Sequence, residues 1–376
     1  MSFVGRVRRP SWRFALAAAL VACAVGTLTG STVTAAGRTA KPAVALTVEV
    51  NGDLLIHSPV WEQALRDGHG HYDFFPMLRE IAPYIRGVDL AICHVETPMT
   101  PRPPSSYPIF NTPPALAFAI KQAGWRICDT ASNHSLDQGQ YGIDETAKSL
   151  DRAGVLHTGS FASAAARNRT LMVTVKGVKV AFLAYTEMTN GIPLPNPWSV
   201  NIANAASVRR AARRARRRGA QVVIVNLHWG QEFQARPSQF QLNLATALAA
   251  DPDITAIVGQ HVHVVQPIVR VHGKLVVYGE GQLLSNESPL TGQPIQTEDG
   301  MLVFLHIVVA GKKSKVASIS YMPTWDRRPD YTVLPVGLAL RRHQAPASVL
   351  RASYLRTTSV VGRISHRVTP IPSHLG

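Results

Sequence analysis

Eight short apolar runs, at 44–50, 89–93, 126–129, 178–185, 221–227, 254–258, 274–278 and 301–309, are spaced along the chain. Helical patterns fill several intervals, at 73–85, 114–123, 142–153, 207–218 and 238–249. That alternation dictates an α/β architecture with largely parallel sheets, because joining parallel neighbours takes a crossover long enough to hold a helix. A β-rich stretch at 258–321 is read as a second sheet packed on the first. No internal repeat is present. The proline-rich run TPMTPRPPSSYPIFNTPP at 97–114 must be a loop, and loops of that length in a compact domain more often carry function than not.

The segments flanking the 44–330 domain differ from it in composition. Residues 1–36 begin with four arginines and no acid up to Arg13, followed by an apolar run to about residue 28. This is the order of a secretory signal whose apolar core is short for a bilayer span. Export is expected by one of three routes: a lipoprotein signal ending in Leu20-Val21-Ala22-Cys23, cleavage near Ala35, or retention of the segment as a membrane anchor. Residues 37–43 read as a linker. Residues 331–376, with six arginines and no acid, read as a basic appendage, loosely packed or disordered. Lys and Arg number 39 against 23 Asp and Glu, a net charge of +16, so the protein should attract anionic surfaces or substrates. Cys93 and Cys128 lie inside apolar runs and are expected to be small buried core residues rather than a disulfide.

In an α/β domain, ligands gather beyond the carboxyl ends of the strands. The polar residues that terminate the runs are therefore informative. The first run offers Asp53; the second offers Glu96, with His94 beside it; the third offers Asn133 and His134. The fifth offers His228, and the sixth, in GQHVHVVQP, offers His261 and His263. Each has an ordinary reading taken singly, as a cap, a turn residue, a satisfied core imidazole or, for the His-x-His pair, two residues sharing one face of a strand. Jointly, carboxylate, amide and imidazole groups at one sheet edge form a donor set suited to one or two divalent ions such as Mn, Fe or Zn. Two ions would lie about 3.5–4 Å apart with a carboxylate between them. His134, adjacent to a ligand but itself free, would protonate a leaving oxygen.

The order Gly-Asp, acid, Asn-His, lone His and Gly-x-His-x-His resembles the calcineurin-like metallophosphoesterases. More closely, the stretches 131–159, 228–248 and 257–284 resemble the CapA family of bacterial capsule and poly-γ-glutamate biosynthesis proteins, over roughly residues 45–325. The resemblance implies a four-layer α/β/β/α sandwich, located outside the cytoplasm, membrane-anchored, and serving synthesis or export of an anionic polymer. It assigns metal-site positions to Asp53, Glu96, Asn133, His228, His261 and His263, with His134 as acid. Two departures stand out. Leu55 occupies the histidine position of the superfamily's opening Asp-x-His, leaving His57 as the next imidazole. Glu280, in Tyr278-Gly279-Glu280-Gly281, adds an acid near the site, as an extra ligand or as a partner for an arginine.

SVRRAARRARRRG at 207–219 sets Val208, Ala211, Ala212 and Ala215 on one stripe and seven arginines around the rest. It reads as a solvated outer helix, with contact to anionic polymer or lipid head groups as the alternative. No aromatic residues interleave with these arginines as a stacking platform would need, so nucleic acid is not an expected partner. Two functions follow: a metal-dependent hydrolase or transfer enzyme acting on a phosphoester or polymer linkage, or a non-catalytic assembly factor that keeps a metal site and works with other capsule-synthesis proteins.

Overall fold

A computed structural model describes residues 42–361 and a two-residue strand at Arg367–Val368; the expected export signal at 1–36 and most of the linker lie outside the described residues. The strands are β1 (Val44–Leu54), β2 (Leu90–Val95), β3 (Ile127–Asp129), β4 (Leu156–Thr158), β5 (Met172–Val175), β6 (Val178–Thr186), β7 (Val222–His228), β8 (Ala256–Gln260), β9 (Ile268–Val271), β10 (Lys274–Val277), β11 (Gln282–Leu284), β12 (Asp299–Ala310), β13 (Lys313–Arg327) and β14 (Thr332–Pro335). The helices are α1 (Ser58–Asp67), α2 (Phe75–Leu78), α3 (Ala82–Arg86), α4 (Ala115–Ala123), α5 (Gly139–Ala153), α6 (Ala164–Asn168), α7 (Ala205–Arg217), α8 (Gln239–Ala249), α9 (Val336–Arg342) and α10 (Ala347–Val361).

One sheet runs β14-β13-β12-β1-β2-β3-β4, with β11 beside the end of β1, and the other runs β5-β6-β7-β8-β10-β9. Alternation along the strands assigns their faces. Val180, Phe182, Val222, Ile224, Ala256 and Val258 of one sheet meet Val48, Val50, Ile92 and Ile127 of the other in a shared core. The intervening residues face outward: Val223, Val225 and Ile257 pack under α7 and α8, while Ala91, Cys93 and Cys128 pack under α1 to α4. The molecule is therefore a four-layer α/β/β/α sandwich.

Three expectations are corrected. The β-rich stretch does not form the second sheet by itself: β12 pairs antiparallel with β1 over eight register positions and extends the first sheet, while β9 and β10 complete the second. Residues beyond 331 are not loose through 361. Strand β14 pairs with β13, and α9 and α10 pack against it through Leu334, Val336, Ala339 and Leu350, with Arg356 ion-paired to Asp299. Cys93 and Cys128 form a disulfide. Parallel β2 and β3 set them directly opposite with Cα atoms 4.5 Å apart, within bridging range. The double change to serine is expected to lower unfolding stability by about 2–4 kcal/mol. A loss below about 1 kcal/mol in urea titration would show that the bridge contributes little.

A β-bulge aims the first site residue. In β1, Leu46, Val48 and Val50 face the inter-sheet core, so Gly52 would be next on that face. The pairing with β2 instead shifts between Val50 and Asp53, so that Val50 opposes Ile92 and Asp53 opposes His94. The extra residue turns the Asp53 carboxylate inward.

Candidate metal centre

Toward the carboxyl ends of the parallel strands, the inter-sheet core becomes polar. Two residues beyond Ile92, Ile127, Ile224 and Val258, on the same face, stand His94, Asp129, Asn226 and Gln260, all buried. They bond to one another. His94 Nδ1 lies 3.2 Å from Asp129 Oδ2; Asn226 Nδ2 donates to Asp129 and, at 2.7 Å, to Gln260 Oε1. Gln260 Nε2 donates to Glu280 Oε2 at 2.8 Å.

Above this network the strand-end residues converge. The loop after β8 brings the His261 amide to 3.2 Å from Asp53 Oδ1, and His263 Nδ1 lies 3.0 Å from Asp53 Oδ2. His94 Nε2 is 3.7 Å from Asp53 Oδ1. Glu96 Oε1 lies 3.6 Å from His228 Nε2 and 3.8 Å from His263 Nε2, and Asn133 Oδ1 is 2.8 Å from His228 Nε2. His261 and His263 are not strand residues, since β8 ends at Gln260. Both adopt positive φ, 91° and 58°, a backbone that side-chain-bearing residues rarely take and that clusters at functional sites.

Four overlapping triads have ligand atoms within 4.8 Å of one another: Asp53-His94-His228, Glu96-His228-His261, Asp53-Glu96-His263 and Glu232-His261-His263. Two ligands of one ion, each at about 2.1 Å, can be no more than about 4.2 Å apart, so small closures suffice. The donors fit a cation on a second ground. Both Glu96 oxygens, His94 Nε2, His228 Nδ1 and His261 Nδ1 are buried with no hydrogen-bond partner among the described residues, and such atoms call for an explanation. The geometry is compatible with one or two divalent ions.

Burial dominates the electrostatics. It pushes Glu96 well above the usual carboxylate range despite the attraction of His263, pushes His228 well down, and holds His261 at about 3. Burial acts upward on Asp53 as well, but the His263 hydrogen bond and the charges of His263 and His94 outweigh it and leave the carboxyl below its ordinary value. His263 goes the other way: burial pulls it down, but Glu287, Glu96 and Asp53 raise it well above the ordinary imidazole value.

The remaining expected residues lie outside these triads. His134 Nδ1 is 2.8 Å from Asp137 Oδ2, and its ring meets the edge of Phe110 from the proline-rich loop at 4.7 Å between centroids. His57 precedes α1 with Nδ1 3.3 Å from the Asn286 amide, held down to about 4 by burial. Among the described residues, Glu280 neither joins a triad nor pairs with an arginine: it is fully buried, accepts from Gln260 and is pushed well up by burial. The expected arginine partner is thus replaced by an amide. Glu232, four residues past His228, was not anticipated. Its only signal was an acid in the loop after a ligand-bearing strand.

A sandwich that gathers buried imidazoles and carboxylates between its sheets, at their carboxyl edge, has the architecture of the calcineurin-like phosphoesterases. The family described as "Bacterial capsule synthesis protein PGA_cap" matches residues 47–287, and the chain belongs to it. It is 26% identical over 273 residues to the capsule biosynthesis protein CapA of Bacillus anthracis, covering 70% of this chain and 64% of that protein. To the PGA biosynthesis protein CapA of Bacillus subtilis (strain 168) it is 26% identical over 199 residues, covering 50% of this chain and 48% of that one. The chain thus spans less than two thirds of either relative. Among solved structures it is similar to the calcineurin-like phosphoesterase YfkN from Bacillus subtilis, at 14% identity and a TM-score of 0.48, over 83% of this chain and 100% of that one.

Proposed function

We propose that the protein is an exported, metal-dependent hydrolase or transfer enzyme acting on a phosphoester or related linkage of an anionic polymer of the capsule or poly-γ-glutamate type. The observation that carries this reading is Glu96, a carboxylate buried beside imidazoles with both oxygens unpartnered among the described residues. Asp53, Glu96, Asn133, His228, His261 and His263, joined by His94, would hold one or two ions of Mn, Fe or Zn. Such an ion, when bound, supplies an activated water and neutralises charge at a phosphoryl oxygen. His134 is held by Asp137 through Nδ1, which leaves Nε2 to deliver a proton to the leaving oxygen. Phe110 packs against that ring and limits its exposure to water.

Export is supported by the basic-then-apolar order of residues 1–36, with Cys23 or the apolar run as the membrane attachment. It is also supported by the Cys93–Cys128 disulfide, since such bonds persist in oxidising compartments. The partners on this reading are the anionic polymer, the membrane and other capsule-synthesis proteins.

The purified chain is expected to carry Mn, Fe or Zn and to hydrolyse bis-p-nitrophenyl phosphate when supplied with Mn. His134→Ala should lower kcat about a hundredfold with metal content unchanged. Metal without turnover, indifferent to that change, would favour the non-catalytic assembly factor. One observation supports this second reading: Leu55 stands at the superfamily's histidine position, and His57 joins none of the ligand triads.

A further inference from the structure

Four arginines line one cavity beside α7, on a different element from the metal-centre ligands. Arg210 and Arg214, one helical turn apart on α7, border a hollow of about 210 Å³ together with Arg167 and Arg169 at the end of α6. Among the described residues, no carboxylate pairs with any of the four. Two other arginines of the helix are engaged elsewhere: Arg209 lies 3.8 Å from Asp251, and Arg216 donates to the carbonyls of Asp253 and Gln221. Arg167 is braced by a 3.1 Å bond from Nε to Asn201 Oδ1. Tyr185, also lining the cavity, is buried, and burial pushes its phenol up to about 12 while Arg214, Arg167 and Arg210 pull it down. Three guanidinium groups therefore act on one hydroxyl.

Like charges lining one cavity repel one another until an anion enters. The planar fork of arginine is matched to phosphate and carboxylate oxygens. We infer that this cavity is an oxyanion site, taking one phosphate- or carboxylate-bearing unit of a polyanionic chain. The oxyanion chemistry does not depend on the metal-centre reading, whereas the assignment of the anion to a polymer rests on the proposed function.

The full-length chain, stripped of metal on chelating resin, is titrated calorimetrically at low salt with inorganic phosphate and, separately, with linear hexaglutamate. Saturable one-to-one binding of at least one probe is expected, and the probe that binds identifies the phosphoryl or carboxylate source. Arg210→Gln with Arg214→Gln should weaken it at least tenfold. Arg213→Gln with Arg217→Gln removes equal charge from the same helix outside the cavity and should change it less than threefold. Should the first pair fail to fold, Arg167→Gln is held to the tenfold criterion. Absence of saturable binding, or equal weakening by both pairs, overturns the inference.

Discussion

Substitution of Glu96 by glutamine is expected to cost the protein its metal and yet make the metal-free fold more stable. The wild-type carboxylate is buried, and neither oxygen has a hydrogen-bond partner among the described residues. Attraction to His263 offsets only part of the desolvation, so its pKa lies well above the ordinary carboxylate value. The sign of the pH dependence follows. Below the unfolded-state value the group is protonated in both states and carries no differential penalty. As pH rises past that value the unfolded chain releases its proton while the fold retains it, and stability falls. Glutamine removes this penalty, so the stripped variant should exceed wild type by about 1–3 kcal/mol at pH 7, with the advantage shrinking toward pH 4. Sites of about 10–16 kcal/mol shared among four ligands assign roughly 3 kcal/mol to each, so metal affinity should fall about a hundredfold or more. Urea midpoints of stripped protein at both pH values, with equilibrium dialysis against Mn, decide the matter. A stripped variant less stable than wild type at pH 7 would refute the burial penalty, and one that retains metal would sink Glu96 as a ligand.

Sequence legibility tracked burial. Each of the eight apolar runs overlaps a strand, because strands β1 to β3, β6 to β8, β10 and β12 occupy the interior of a four-layer sandwich and need apolar residues on both faces. The polar half of β13, KSKVASIS, gave no such signal: only Val316, Ile319 and Ser320 of it are buried. The expected helix at 73–85 is two short helices, each with proline in its first turn, and Pro83 has no amide to continue the earlier one. Asp53, Glu96, His228, His261 and His263 were legible because strand ends face the inter-sheet cleft. Asp129, Asn226 and Gln260 were not, although each is a polar residue on the inward parity of an apolar run. The disulfide was hidden for a related reason, since spacing within two runs does not set their mutual register.

Register also underlies the last expected result, that Gly52→Ala destabilises the fold by upwards of about 4 kcal/mol and disables metal uptake in whatever folds. Gly52 sits in the bulge that turns Asp53 inward, and a methyl group there would meet the carbonyl oxygen of Gly281. That carbonyl accepts the Asp53 amide at 3.1 Å, so it cannot withdraw without releasing the residue it positions. Backbone cannot rotate aside as a side chain can, which puts the cost beyond ordinary overpacking of about 1–3 kcal/mol. The alternative is to lose the bulge. Pairing would then shift by one residue and carry the Asp53 carboxylate away from His263 and His94. Gly337 supplies the control: a Cβ there meets nothing within 4 Å, and alanine in α9 should gain up to about 1 kcal/mol. Denaturation midpoints and Mn dialysis on both variants test the claim. A Gly52→Ala protein as stable as wild type, with full metal content, would show that the bulge does not hold Asp53 in place.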